Sequence, residues 1–159
     1  LEAIFSGEKE LFKGLCIEDK ITWEKRTVLR FSFDLISSRQ ASASEMLMHQ
    51  IREIAHKNGI VLQNDGIIKP MLSELVQKTA ANKPIVVLVD EYDKPILDAI
   101  PNEMARAEDG RLVLKEFFET IKTEDAHIHL LFVTGVSKFS SEKKGIVDYE
   151  PKRKRDNGK

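Results

Sequence analysis

The sequence predicts an α/β fold built on a parallel sheet, and three observations carry that prediction. The first is Ile85-Val86-Val87-Leu88-Val89, an apolar run after Asn82-Lys83-Pro84 that is too short to span a membrane and reads as a strand buried on both faces. The second is Ile128 to Thr134, another apolar run of strand length. The third is the order of the patterns, helix, strand, helices, strand, helix, strand, which calls for parallel strands joined by right-handed crossovers. No internal repeat is visible.

Leu1 to Phe5 reads as the end of a helix, and Glu8 to Phe12 as a short second one stopped at Gly14. Thr27 to Phe33 carries β-branched and aromatic weight at Val28, Phe31 and Phe33, so it is expected to be a strand that Asp34 ends. Ser42-Ala43-Ser44-Glu45 is a capping-box string. Leu47, Ile51, Ile54 and Ala55 then recur at helical spacing until Asn58-Gly59 supplies a left-handed stop. A further helix is predicted from about Ile68, with Pro70 in its first turn and Leu72, Leu75, Val76 and Thr79 along its stripe. From Pro101 to Asp109 the chain is polar and only weakly helical, whereas Leu114, Phe117, Phe118 and Ile121 mark a firm amphipathic helix. Its aromatic pair is assigned to the core rather than to base stacking, because a stripe at helical spacing needs burial first.

A chain of 159 residues with 42% hydrophobic content suits one domain with one core. A formal charge of −1 argues against strong attraction to nucleic acid or anionic membrane, since such partners select for a basic excess. Residues 142–159 differ from the rest: they hold seven Lys/Arg and four Asp/Glu, with Lys152-Arg153-Lys154-Arg155, and are expected to be a disordered, solvated tail. The lone Cys16 cannot form an internal disulfide, and between Leu15 and Ile17 it is expected to be a small buried hydrophobe in a reducing, cytoplasmic setting. These residues read as containing neither a signal-peptide pattern nor an apolar stretch long enough to span a bilayer, so none is expected within them. Leu1 is not Met, so the chain is expected to be a piece of a longer one.

The chemistry concentrates at Asp90-Glu91-Tyr92-Asp93, three carboxylates in four residues directly after a buried strand. Ligands of open α/β sheets bind beyond the carboxyl ends of the strands, so this has the shape of a Walker B element. Asp90 is then the metal-side carboxylate, and Glu91 a general base for an attacking water. The structural alternative is that the acids only stop the strand and cap the next helix. Thr134 ends the last strand in the same manner and would project into the same crevice, either toward a phosphate or as the cap of the following turn. Lys94 and Lys138 are each candidates for phosphate contact, or simply solvated charges. A phosphate-binding loop needs Gly-x-x-x-x-Gly-Lys-Ser/Thr, and no such string occurs in this chain. His127 and His129 flank Ile128 at strand-like alternation, but a zinc site needs further ligands that the spacing does not place. His49 and His56 fall off the apolar face of their helix and are expected to be exposed.

Leu88-Val89-Asp90-Glu91-Tyr92-Asp93-Lys94-Pro95-Ile96-Leu97, with Phe132-Val133-Thr134-Gly135-Val136-Ser137-Lys138-Phe139-Ser140 and the opening Phe5-Ser6-Gly7-Glu8-Lys9-Glu10-Leu11-Phe12, resembles the predicted AAA-ATPase-like family of prokaryotic proteins. The resemblance covers residues 1–140 and departs after Ser141. It implies a three-layer P-loop-NTPase-like parallel sheet flanked by helices, here truncated and missing its first, P-loop-bearing strand. It also implies Mg2+ and ATP as cofactors, with Asp90 on the metal, Glu91 as hydrolytic base, and Thr134, Ser137 and Lys138 as a sensor group beside the nucleotide. A restriction-endonuclease-like domain often lies far downstream in such proteins.

The same resemblance leads to an expectation about topology, in which the P-loop strand sits between the acidic strand and the sensor strand. Without it, Val86, Leu88, Ile128, Leu130 and Phe132 either pair directly or leave rows of backbone groups unsatisfied. Each such buried group costs about 1–3 kcal/mol against a total stability of about 5–15 kcal/mol. A rearranged sheet, a strand donated by self-association or a protein partner, or marginal stability is therefore expected. Two functions remain: an incomplete Mg-nucleotide domain that does not hydrolyse ATP alone, or a non-catalytic interaction module or relic that uses its exposed sheet edge. A two-metal nuclease using Asp90, Glu91 and Asp93 is set aside, because adjacent strand residues point to opposite faces.

Overall fold

The computed structural model describes residues 1–36, 42–97 and 104–136. Strands β1 (Val28–Ser32), β2 (Ile85–Asp90) and β3 (Ile128–Val133) form one sheet in the order β1-β2-β3, and both pairings are parallel. This is the α/β sheet flanked by helices that the apolar runs predict. β1 pairs Val28 with Val86 through Ser32 with Asp90. β2 pairs Ile85 with Ile128 and then Val86 with Leu130, so His129 is an extra residue and the register shifts there. Of the two outcomes expected for the acidic strand and the Thr134 strand, direct pairing is the one found: Val86 faces Leu130 and Leu88 faces Phe132. Direct pairing removes the penalty that two unpaired rows would carry, and the place for any further strand moves to the outer edges.

The helices are α1 (Glu2–Phe5), α2 (Ala43–Lys57), α3 (Ile68–Thr79), α4 (Lys94–Leu97) and α5 (Met104–Thr123). Glu8 to Phe12 is a 3-10 turn over Lys9–Phe12 rather than an α-helix, as its length allows. The capping box at the start of α2 forms in full: Glu45 N donates to Ser42 Oγ at 3.2 Å, and Ser42 N to Glu45 Oε2 at 3.0 Å. Asp109 adds a tertiary cap by accepting from Ala43 N at 2.7 Å and Ser44 Oγ at 3.0 Å. That contact ties α2 to α5, and the segment read as weakly helical from Met104 to Asp109 is the first part of this one 20-residue helix.

Helices α2, α3 and α5 cover one face of the sheet. Leu29, Phe31, Ile85, Val87 and Val89 point into this core with Leu47, Ile51, Met71, Leu72, Leu75 and Phe117. The Phe117 ring stands edge-on to Phe31 at 5.0 Å and to Phe33 at 5.3 Å, the geometry aromatic quadrupoles favour. The second face carries Arg30, Val86, Leu88, Asp90, Leu130, Phe132 and Thr134 by strand alternation. α1 reaches it through Glu2, 3.9 Å from Arg30, and Phe5, whose ring edges His129. Cys16 is exposed, contrary to the sequence expectation: residues 11–20 lie in turns whose Leu11 and Leu15 are also exposed, so apolar neighbours there bring no burial.

Glu74 anchors the loop between α2 and α3, accepting from Gln63 N and Asn64 N at 2.8 Å each, with Lys78 Nζ 2.6 Å away. The Lys78 ammonium and the two backbone donors hold its carboxyl at about 2, below the ordinary 4.5. The unfolded chain therefore takes up this proton first as pH falls. The stabilisation is full above about pH 4.5 and is lost as pH falls toward 2. Urea unfolding between pH 5 and pH 2 is expected to show a falling midpoint in the wild type and a shallower fall in Glu74→Gln.

Candidate functional site

The carboxyl ends of β2 and β3 meet because the ladder continues past the strands: Thr134 N donates to Val89 O at 2.8 Å, and Tyr92 N donates to Thr134 O at 3.1 Å. With both backbone groups of Thr134 turned toward β2, its side chain emerges on the same face as Asp90. The Thr134 hydroxyl donates to Asp90 Oδ1 at 2.5 Å and also lies 3.3 Å from Val89 O. Arg30 Nη2 stands 3.5 Å from the other oxygen, Asp90 Oδ2. The side chain of Asp90 is 46% exposed, so the carboxylate faces solvent beyond the sheet end.

Glu91 does not continue the strand. Its φ of 52° is left-handed, a costly conformation for a non-glycine residue and one that clusters at functional sites. The turn aims the Glu91 carboxylate away from Asp90 and toward Lys94, whose Nζ is 3.5 Å from Glu91 Oε2 and 3.0 Å from Asp34 Oδ1. Glu91 Oε2 is shielded from solvent and accepts no hydrogen bond, so the Lys94 ammonium is the charge that balances it. Lys94, read from sequence as a phosphate candidate, is engaged with carboxylates. Ser137 and Lys138 lie outside the described residues.

Asp93 is buried and accepts from Val136 N at 2.9 Å, which clamps the turn after β3 to the turn after β2. Gly135 is the residue this clamp requires: a Cβ there would lie 2.5 Å from the Tyr92 ring and 2.9 Å from Asp93 Oδ1. The sequence reading gave no role to Arg30 or Gly135, and it weighed Asp93 as a metal-side carboxylate rather than as the clamp it forms. An arginine between Leu29 and Phe31 in an apolar strand was the available signal for the first.

Among the described residues no three His, Cys, Asp or Glu side chains are grouped to hold a metal ion. Asp90 with Thr134 instead offers a carboxylate and a hydroxyl, hard oxygen donors of the kind that suit Mg2+ when waters and phosphates complete its octahedron. The donor set fits Mg2+ bound together with a phosphate-bearing ligand. His127 and His129 have different surroundings: His127 Nδ1 lies 3.1 Å from Glu124 Oε2, and His129 meets Phe5. Among the described residues no helix is long and apolar enough to cross a membrane.

A family model described as "Predicted AAA-ATPase" matches residues 1–146. An uncharacterised protein encoded in the vnfD 5′ region of Azotobacter chroococcum mcd 1 is 36% identical over 145 residues. The match covers 88% of this chain and 28% of that relative, so the chain spans under a third of its length. No solved structure matches.

Gly135→Ala is expected to destabilise the fold by about 1–3 kcal/mol through overpacking against Tyr92 and Asp93, with the lowered midpoint read by urea unfolding. Gly110→Ala makes a separate contrast, because its Cβ would meet the Pro95 carbonyl at 2.9 Å, away from Thr134.

Proposed function

This chain belongs to the predicted AAA-ATPase family, and on that premise we propose that the carboxyl ends of β2 and β3 form the metal-facing half of a Mg-nucleotide site. The observation that carries this reading is the Thr134 hydroxyl on Asp90 Oδ1 at 2.5 Å, at the sheet end where α/β folds bind ligands. In this reading Asp90 takes the cation. Thr134 holds Asp90 in one rotamer and senses the terminal phosphate, a role the family resemblance extends to Ser137 and Lys138. Glu91, whose carboxylate rests against Lys94, would serve as the base for the attacking water only in a completed site. Bound Mg2+ supplies charge neutralisation across the phosphates.

The chain contributes binding rather than turnover. Its sequence has no Gly-x-x-x-x-Gly-Lys-Ser/Thr string, so the backbone cradle and lysine that fix the phosphates must come from elsewhere.

A second reading, an interaction module working through a sheet edge, is favoured by the unequal treatment of the two edges. Gln50 caps the end of the β1 edge: its Nε2 donates to Ser32 O at 2.6 Å and its Oε1 accepts from Ser32 N at 3.2 Å, as a neighbouring strand would. On the outer side of β3 no strand pairs among the described residues, and Phe132 is 37% exposed.

Thermal unfolding with and without Mg-ATP tests both. At a hundredfold excess over its dissociation constant the ligand should stabilise the wild type by about 2.7 kcal/mol. Asp90→Ala should lose that shift. A midpoint indifferent to Mg-ATP that rises with protein concentration would select the edge reading instead.

A further inference from the structure

We propose that Arg30 is the built-in counter-ion of Asp90, that a divalent cation must displace it to bind, and that the freed guanidinium then takes a phosphate. The inference rests on the metal-facing reading of Asp90.

Arg30 occupies the middle of β1 between Leu29 and Phe31, both fully buried on the core side, so its side chain has to stand on the second face. Its register partner is Leu88, which places Asp90 two residues further along β2 on that same face, within diagonal reach. An apolar residue would suit Val86 and Leu88 as a neighbour. The position instead holds a cation aimed at Asp90 Oδ2 at 3.5 Å and at Glu2 Oε2 at 3.9 Å.

The two oxygens of Asp90 are divided between two partners. Oδ1 belongs to Thr134, which leaves Oδ2 as the oxygen open to a metal, and Arg30 is the group in front of it. The Arg30 pair is longer than the roughly 2.7–2.9 Å of a locked charge-assisted bond. Its side chains are 58% and 46% exposed, so it can open at small cost. A cation on Oδ2 expels the guanidinium electrostatically while leaving it on the same face. There its planar fork matches a phosphate. A cation alone is therefore opposed by Arg30, whereas a cation arriving with a polyphosphate is assisted by it.

Mn2+ titration followed by electron paramagnetic resonance tests this on the whole chain, with and without inorganic pyrophosphate, for the wild type, Arg30→Gln, Arg30→Lys and Asp90→Asn. Arg30→Gln should bind Mn2+ alone about three- to fivefold more tightly than the wild type, the weight of one exposed ion pair. Pyrophosphate should strengthen Mn2+ binding to the wild type and leave Arg30→Gln nearly unchanged. Arg30→Lys keeps the charge but not the fork, so it should match the wild type for Mn2+ alone and gain less from pyrophosphate. Melting by circular dichroism establishes that each variant is folded. Mn2+ affinity in Arg30→Gln equal to or weaker than the wild type, with binding still dependent on Asp90, overturns the role of Arg30 alone. Binding that is absent throughout, or unchanged in Asp90→Asn, overturns the metal reading beneath it.

Discussion

The carboxyl edge of the sheet depends on one constraint, that β3 stays in parallel register with β2 one residue beyond the last strand pair. Thr134 satisfies it by giving both its N–H and its C=O to the β2 side. A slip of one residue would turn Thr134 toward the core and bring an apolar side chain to Asp90. Two devices fix the register from opposite ends. At the amino end His129 is taken up as an extra residue, so that Leu130 rather than His129 meets Val86. At the carboxyl end Asp93 holds Val136 N, and Gly135 allows Tyr92 to lie against the backbone.

That register also sets how the acids avoid one another. Asp34, Asp90, Glu91 and Asp93 all cluster at the strand ends, and unpaired like charges at such spacing repel. The fold sorts them instead. Asp90 goes to the second face with Thr134 and Arg30; Glu91 and Asp34 share Lys94; Asp93 turns inward onto a backbone donor. The left-handed backbone at Glu91 is what keeps its carboxylate out of the core, since an extended residue there would have pointed into the core face. Strain of this kind, on the order of 1–3 kcal/mol, persists only where surrounding contacts over-determine it. Here the Val89–Thr134–Tyr92 ladder does so.

Patterns that depend on one segment alone were legible in the sequence. The buried run Ile85 to Val89, the capping box at Ser42 and the apolar stripe through Phe117 each name their own element, and each forms as read. Features that depend on two segments were not. Period-2 alternation marks Arg30 and Asp90 as strand residues but does not give the register that sets them diagonal to each other. Gly135 carries no local signal, because the atoms that exclude a Cβ belong to Tyr92 and Asp93. Glutamate has no preference for left-handed backbone, so the turn at Glu91 could only emerge from the tertiary fold. Cys16 failed for a related reason: hydrophobic neighbours predict burial only when another element is there to cover them.

The edge reading and the nucleotide reading share one geometry. Because Thr134 turns its backbone groups toward β2, alternation turns those of Val133 and Leu131 outward along the free side of β3. A parallel strand added there would find an evenly spaced row of donors and acceptors, while at β1 Gln50 already occupies both backbone groups of Ser32. It would extend cover over the exposed part of Phe132 and would deliver its own carboxyl end beside Thr134 and Asp90. In a parallel sheet the loop after that end is where a phosphate is received. Whatever completes the sheet on this side thus also stands in position to complete the site, with Asp90 on β2 lying between it and Arg30 on β1.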